Sequence, residues 1–572
     1  MKRNKKIYNF EDFDYTPIED VALIDSEGAV IKTWIRSFDL ENPFLEGKPG
    51  GKKKFRASAS FKNGFGRNIS TDYFSKNTYK ELRKHLRKGR PIEVLAEVYQ
   101  EPAKGDIFMN ELKILKYRSG DSSISQLQAS RKEIELVKRF LILIYSEDNQ
   151  KSRWGLLHAI REAIIEELKI VGIEMDELYS DSLDTMICQA FSGGIVNNTN
   201  GKINTCIVGP PATGKKLLWE TAKFINPISQ EAQNMRVTPA GITAGMSKNL
   251  PLGTIPLASK GVFGIQDFDK CKKSEELLPI FADVMEDKKV IISGVVKAEL
   301  DAETAIHIDL NRFSDLYLKA GYSKNVTEDT GLPTNIISRF DFIVELKKDL
   351  NLLDAKAQQI LLSKSSQDQD RKSEIGIFCS KNGVEVDRFL KLIVGYVMDE
   401  IDKVNIKPVQ KYMASKFSEI KQENKENIDK MPEIASFQIR LANSLMKFVN
   451  ALTRIQMLQD SNKDAVDKAL HLLSRKLDFL KNIDEDYVVP NYRATGFEAF
   501  QGWLAAKYGS GEFAPVNAIK EYRDEGSRCG EKSDRALRYW IKKSAHKIRH
   551  GVWKVQPAVL KKYGKAISYV RV

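Results

Sequence analysis

The segment from Thr205 to Phe224 restricts the possible folds of this chain more than any other. Thr205-Cys-Ile-Val208 has the pattern of a buried strand, and it runs directly into Gly209-Pro-Pro-Ala-Thr-Gly214-Lys215-Lys216, followed by the helical stretch Leu217 to Phe224. A GxxxxGK loop between a strand and a helix turns backbone N–H groups toward phosphate oxygens, and its lysine neutralises the β and γ groups. We therefore expect a multidomain α/β chain that binds ATP through Gly209, Pro210, Pro211, Ala212, Thr213, Gly214, Lys215 and Lys216. Lys216 departs from the pattern. A Ser or Thr hydroxyl normally stands there for Mg²⁺, and an ammonium cannot coordinate a cation.

At 572 residues and 42% hydrophobic content, the chain has material for several cores. Its longest apolar run, Phe140 to Tyr145, is far short of the roughly 18 to 20 residues a membrane span needs. Acidic and polar residues follow Met1 to Phe13 where a secretory signal would place its apolar core, so a soluble, cytoplasmic protein without a membrane partner is expected. Five cysteines without CxxC spacing read as isolated thiols rather than a zinc site or a disulfide framework.

Val30 to Leu40, Lys54 to Phe61, Pro91 to Gln100 and Ile107 to Tyr117 read as extended segments of about five strands, with an amphipathic helix from Thr78 to Lys88 before the fourth. That order predicts an OB-like barrel over residues 1–120. Trp34, Phe38, Phe55, Phe61, Phe65 and Tyr73 lie among Lys52, Lys53, Lys54, Arg56 and Arg67, a mixture suited to stacking on single-stranded bases, though most of these aromatics would serve a barrel core in any case. Ser119 to Ser130 reads as a polar linker, opening a helical region over 121–178 that includes helices from Lys132 to Ile144 and from Trp154 to Ile170.

A second apolar strand ends in carboxylates: Val262-Phe-Gly-Ile-Gln266-Asp267-Phe268-Asp269-Lys270. Here the chain resembles the MCM family of AAA+ helicases, whose corresponding strand reads close to CIDEFDK. The resemblance continues in order through Gly241-Ile-Thr-Ala244, Val284-Met-Glu286 to Val290-Ile-Ile292, Ala302 to Asn311, Pro333-Thr-Asn-Ile-Ile-Ser-Arg339-Phe-Asp341, and Ile439-Arg440 with Leu445 to Arg454. It implies an AAA+ core over 179–350 and a helical lid over 351–482. It also implies a sensor asparagine at Asn311, an arginine finger at Arg339, a second sensor arginine at Arg440, and ring assembly, as a hexamer, with ATP and Mg²⁺ as cofactors. In the family the Asp before Glu organises Mg²⁺ and the Glu orients the attacking water; Gln266 and Asp267 stand at those positions. Asp267 and Asp269 are thus the candidate metal carboxylates, and Asp267, Asn311, Arg339 and Arg440 the candidate catalytic set. The alternative for Arg339 is a local ion pair with Asp341 or another carboxylate.

The formal charge of +13 concentrates at the end of the chain, where residues 491–572 hold 17 Lys+Arg against 7 Asp+Glu. Helices from Phe497 to Leu504, Pro515 to Arg523 and Ser533 to Ile548, then a hairpin turning at Gly551, predict a winged helix with Leu537, Ile541 and Ile548 inward. Arg535, Arg538 and Lys542 share its other face and, with Lys297 of the earlier hairpin, are assigned to DNA. The layout resembles helicases of bacterial mobile elements such as staphylococcal cassettes. An ATP-fuelled DNA helicase or replication initiator that contacts single- and double-stranded DNA is the leading reading. A nucleotide-gated initiator with little or no hydrolysis and an AAA+ transcriptional activator stay open beside it.

Overall fold

A computed structural model describes residues 9–16, 24, 28–35, 38–40, 44–46, 54–56, 59–62, 68–71, 90–102, 108–120, 122–145, 153–170, 176–211, 213–232, 237–245, 252–271, 273–293, 297–311, 330–346, 373–429, 434–480, 496–508, 510–524, 534–549, 551–557 and 559. It divides into two units, Met1–Asp486 and Tyr487–Val572.

The first unit opens with strands β1 (Val30–Ile35), β2 (Phe38–Leu40), β3 (Phe44–Glu46), β4 (Lys54–Arg56), β5 (Ala59–Lys62), β6 (Asn68–Thr71), β7 (Ile92–Pro102) and β8 (Phe108–Ser119). Six of them form one sheet in the order β1-β7-β8-β6-β5-β2, and β3 pairs with β4. The expected strands are present, but Val30 to Leu40 and Lys54 to Phe61 are each divided in two, and the expected helix from Thr78 to Lys88 lies outside the described residues. Val94, Ala96 and Val98 of β7 are fully buried. Buried Glu93 accepts hydrogen bonds from Tyr15 Oη (2.6 Å) and Arg118 Nε (2.7 Å) and pairs with Lys32, which is how a charge survives burial. Of the aromatics proposed to stack on bases, Trp34 has its indole N–H committed to the Gly120 carbonyl at 3.0 Å.

The expected linker is instead packed structure. Ser122 caps the short helix α1 (Ser123–Gln126) by accepting from the Ser125 N–H, and Leu127 and Ala129 are buried. Arg388 donates to the Leu127 carbonyl at 2.8 Å and to Glu133 at 2.9 Å, which ties this stretch to distant helices. Composition alone overlooks such long-range partners. Helices α2 (Arg131–Tyr145) and α3 (Gly155–Glu167) follow, close to their expected bounds, and then α4 (Glu177–Ala190).

The central layer uses strands β11 (Thr205–Val208), β12 (Ser229–Ala232), β13 (Val262–Ile265), β16 (Ala305–Leu310) and β17 (Phe342–Glu345), preceded by the small hairpin β9 (Ile195–Val196) and β10 (Thr199–Asn200). The five form a parallel sheet in the order β12-β13-β16-β11-β17. Strands β11, β13 and β16 are buried at every position, as expected of parallel strands covered on both faces. One cover is helix α5 (Lys215–Ile225), whose Trp219 ring stacks on His307 of β16 at 5.3 Å. Burial pushes the His307 imidazole down to about 3, so it is neutral under that ring. The ring fits because position 264 has no side chain; a Cβ there would lie 2.4 Å from Trp219. Between β12 and β17 lie α6 (Pro239–Ile242), α7 (Thr254–Leu257), α8 (Ser274–Asp287), the hairpin β14 (Lys289–Ser293) and β15 (Lys297–Asp301), and α9 (Thr334–Ile337).

A helical region completes the unit: α10 (Glu374–Asn382), α11 (Val386–Glu400), α12 (Gln410–Glu423), α13 (Lys425–Asp429), α14 (Ile434–Ile455) and α15 (Lys463–Leu480). Asp341 pins it to the sheet. Its carboxylate accepts from Ser444 Oγ (2.7 Å) and Lys447 Nζ (2.9 Å) of α14 and from the Asn204 backbone (2.8 Å) beside β11.

The second unit contains α16 (Gly496–Tyr508), β18 (Glu512–Phe513), α17 (Pro515–Asp524), α18 (Asp534–Ser544), β19 (Ala545–Arg549) and β20 (Val552–Val555), with the sheet order β18-β20-β19. Phe500, Leu504, Leu537 and Ile541 form its core. The third helix is shorter than expected. It ends at Ser544, so Ile548 belongs to β19 and is exposed rather than inward. In β19 only Ala545 is buried and the residues after it are exposed, so helical periodicity no longer decides the direction of Ile548.

The tight fit of Trp219 over Gly264 yields a test. Gly264→Ala is expected to lower unfolding stability by about 1–3 kcal/mol through overpacking against Trp219, measured by urea denaturation. Unchanged stability would show that the ring has room to withdraw.

Candidate nucleotide site

The loop after β11 enters α5 through Gly214, whose φ of +89° is a left-handed conformation that favours glycine. A Cβ there would also lie 2.8 Å from the Tyr179 ring, and the Tyr179 hydroxyl donates to the Gly214 carbonyl at 3.3 Å. Lys215 is buried. Its ammonium donates to the carbonyls of Gly209 (2.6 Å) and Pro210 (2.8 Å) and to Asn311 Oδ1 (3.0 Å). These charge-assisted bonds offset the loss of hydration, and they hold the cation at the loop where phosphates would take it over. Thr213 Oγ1 donates to the Pro210 carbonyl at 2.9 Å, closing the loop on itself. Pro211 and Lys216 are exposed, and Ala212 lies outside the described residues.

Asn311, one residue past β16, organises the acidic side. Its backbone N–H donates to Asp269 Oδ1 at 2.9 Å, and its amide donates to Asp269 at 3.2 Å and to Asp267 at 3.4 Å. Asp267 has a φ of +49°, unusual for a residue with a side chain. Its backbone N–H donates to Asp309 Oδ1 at 2.8 Å, and its carboxylate pairs with Lys270 at 2.7 Å. Gln266 turns away, donating its amide to Glu231 of β12 at 2.9 Å. Sequence reasoning therefore placed Lys215, Asp267, Asp269 and Asn311 in one cluster, and the structure brings them together. It missed Asp309, whose sequence signal is an acid inside the otherwise apolar strand β16. Burial pushes the Asp309 carboxyl up to about 6.

Arg339 and Arg440 meet at a different carboxylate, Glu286 at the end of α8. Arg339 pairs with it at 3.1 Å and Arg440 donates to it at 2.9 Å and 3.1 Å. Arg440 also donates to Ser338 Oγ at 2.9 Å. Arg339 thus has a local carboxylate partner, but that partner is Glu286 and not Asp341. The sequence alone does not show this role of Glu286, because the three residues are far apart in the chain. Arg454 at the end of α14 donates to the carbonyls of Ile401, Phe191 and Asp402, which makes it a structural support.

The donor set beside the loop is composed of hard oxygens, the carboxylates of Asp267 and Asp269 held by Asn311, as Mg²⁺ prefers. A further buried oxygen, Asp309 Oδ2, has no hydrogen-bond partner among the described residues. These residues fit the cation. Glu177, Asp181 and His471 also lie within ligand distance of one another, but Arg475 pairs with both carboxylates there, so that cluster reads as an ion-pair network. Of the residues assigned to DNA, Arg538 and Lys542 are exposed on α18, and Lys297 opens β15 opposite Ser293. The side chains of Lys297 and Arg535 lie outside the described residues.

The parallel sheet, the phosphate loop and the acid–asparagine cluster together define a P-loop nucleotide-binding protein. More particularly, residues 170–363 match the family model described as the MCM P-loop domain, and this region is MCM-like, with an AAA+ α/β fold. It is 23% identical over 314 residues to the maternal DNA replication licensing factor mcm6 of Xenopus tropicalis, a stretch that covers 52% of this chain and 36% of that relative. Two plant proteins, the DNA replication licensing factors MCM6 of Arabidopsis thaliana and of Oryza sativa subsp. indica, are 29% identical over 160 residues and 30% identical over 154. Those matches cover 27% and 26% of this chain and 19% and 18% of the relatives. The chain thus spans about a third of the length of the first relative and about a fifth of the other two. Among the described residues, no helix is long and apolar enough to cross a membrane.

Lys215→Ala is expected to abolish binding of a fluorescent ATP analogue, since Lys215 is the cation buried within the loop. Retained affinity would move the phosphate site away from this loop.

Proposed function

We propose that the chain is an ATP-driven DNA helicase or replication initiator that works as a six-membered ring, each nucleotide lying between one subunit's Lys215 and the neighbouring subunit's Arg339 and Arg440. The observation that carries this reading is the separation of the charges. Lys215 binds Asn311, whereas both arginines share Glu286. A loop with its own cation and acids, together with a paired arginine face on another carboxylate, is the arrangement a composite site requires.

In this mechanism Lys215 releases the Gly209 and Pro210 carbonyls and takes the β and γ phosphates. Asp267 orients the attacking water while Asn311 fixes the carboxylates, and the neighbour's guanidinium groups offset charge developing on the γ-phosphate. Mg²⁺, held by Asp267 and Asp269, supplies further charge neutralisation when bound. The six-stranded sheet, read as an OB-like barrel, contacts single-stranded DNA. The last unit, read as a winged helix over residues 491–572, contacts duplex DNA through Arg535, Arg538 and Lys542, and Lys297 of the β14–β15 hairpin contacts DNA beside the motor. The exposure of Arg538 and Lys542 and the basic surplus of that unit support this assignment. The layout of a motor between binding modules also resembles helicases of bacterial mobile elements.

A second reading, a nucleotide-gated initiator that marks or opens DNA without translocating, is favoured by the exposed Lys216 and by Gln266 turning to Glu231. A forked-DNA strand-displacement assay separates the two. ATP-dependent release of the labelled strand is the expected result. Tight binding of ATP and fork without any release would overturn the helicase and leave the initiator.

A further inference from the structure

We propose that Asp309 supplies the metal-shell carboxylate that Gln266 does not, so that the missing acid has been replaced from the neighbouring strand. The inference rests on the nucleotide-site reading above and concerns how this chain's own residues meet the cation.

The sheet register carries the argument. Strands β13 and β16 run parallel, with Gly264 beside His307 and Ile265 beside Ile308. One step further along the same register lie Gln266 and Asp309. Residues two apart on a strand share a face, so Asp309 is on the face of His307, the face that α5 covers with Trp219. The phosphate loop is the entry to that same helix. Asp309 therefore stands one strand over from Gln266, at the same level of the sheet, on the loop's side.

Its side chain is held and yet incomplete. Only 2% of Asp309 is exposed. Oδ1 accepts the Asp267 N–H at 2.8 Å, which fixes both the carboxylate and the turn that presents Asp267. Oδ2 is buried without a hydrogen-bond partner among the described residues. Burying a carboxylate oxygen and leaving it unsatisfied costs free energy, and a ligand at the site would recover it. Mg²⁺ dehydrates reluctantly and keeps several of its waters, so Oδ2 takes part by accepting from a metal-bound water rather than by direct ligation. Gln266 meanwhile is engaged with Glu231, on the opposite neighbouring strand. Lys216 in place of a hydroxyl and Gln266 in place of an acid both weaken a cation site; Asp309 restores one negative charge to it.

The test uses the full chain with adenylyl imidodiphosphate and Mn²⁺, whose free concentration is read by electron paramagnetic resonance. Asp309→Asn keeps an oxygen for the Asp267 N–H but removes the charge. It is expected to weaken Mn²⁺ binding to the nucleotide complex by about 10- to 100-fold, the range seen when outer-shell partners of a metal are lost. Affinity for the nucleotide in EDTA is expected to stay unchanged. Adding Gln266→Asp to this variant is expected to return Mn²⁺ affinity toward that of the parent. Wild-type Mn²⁺ affinity in Asp309→Asn would overturn the proposal and leave Asp309 as an anchor for the Asp267 turn. If the single variant does not fold, the double variant decides: parental Mn²⁺ affinity supports the exchange, and nucleotide binding with the metal affinity lost overturns it. A parent chain that binds no nucleotide, with or without metal, would overturn the nucleotide-site reading and this inference with it.

Discussion

The buried ammonium of Lys215 joins the parts of this site. A cation there needs oxygen partners, and it takes two from its own loop and one from Asn311 at the end of β16. Asn311 in turn binds Asp269 and Asp267, so a single chain of polar contacts connects the first strand of the sheet, its neighbour and the acidic turn after β13. The parallel order β13-β16-β11 makes this possible, because it sets the three strand ends side by side. Ligands of open α/β sheets gather at such carboxyl ends.

A second system of charges lies around α8 and the helical region. Glu286 satisfies both Arg339 and Arg440, while Asp341 is fully used by Asn204, Ser444 and Lys447. Sheet and helices are thereby locked through one buried carboxylate, and the two arginines remain together at a partly exposed one. Lys476 of α15 adds to the lock by donating to the Ser338 carbonyl at 3.1 Å, and burial pushes its ammonium down to about 7. Movement of α14 would thus be felt at both arginines.

Much of this was legible in the sequence because it is local. The strand-loop-helix of residues 205–225, the helix and hairpin around Glu286, and part of the long helix α14 follow from motifs whose residues are neighbours in the chain. What stayed hidden depends on register or distance. Asp309 gains its meaning only when β16 pairs with β13, and Glu286 only when residues 53 and 154 positions away fold onto it. The stretch from Ser119 to Ser130 looked like a linker because its anchor, Arg388, is more than two hundred residues away. Ile548 was misplaced for a simpler reason: a helix passing directly into a strand at Ser544 leaves no turn residue to mark the change.

The central claim is that a working site needs the loop of one subunit and the arginines of another. The most direct measurement mixes two variants, Lys215→Ala and Arg339→Ala, each inactive alone, and follows ATP turnover across the mixing ratio. Some interfaces in mixed rings would pair an intact loop with an intact arginine, so partial activity is expected to return, with its maximum near equal proportions. No recovery, in assemblies shown by sizing to contain both variants, would contradict the composite site.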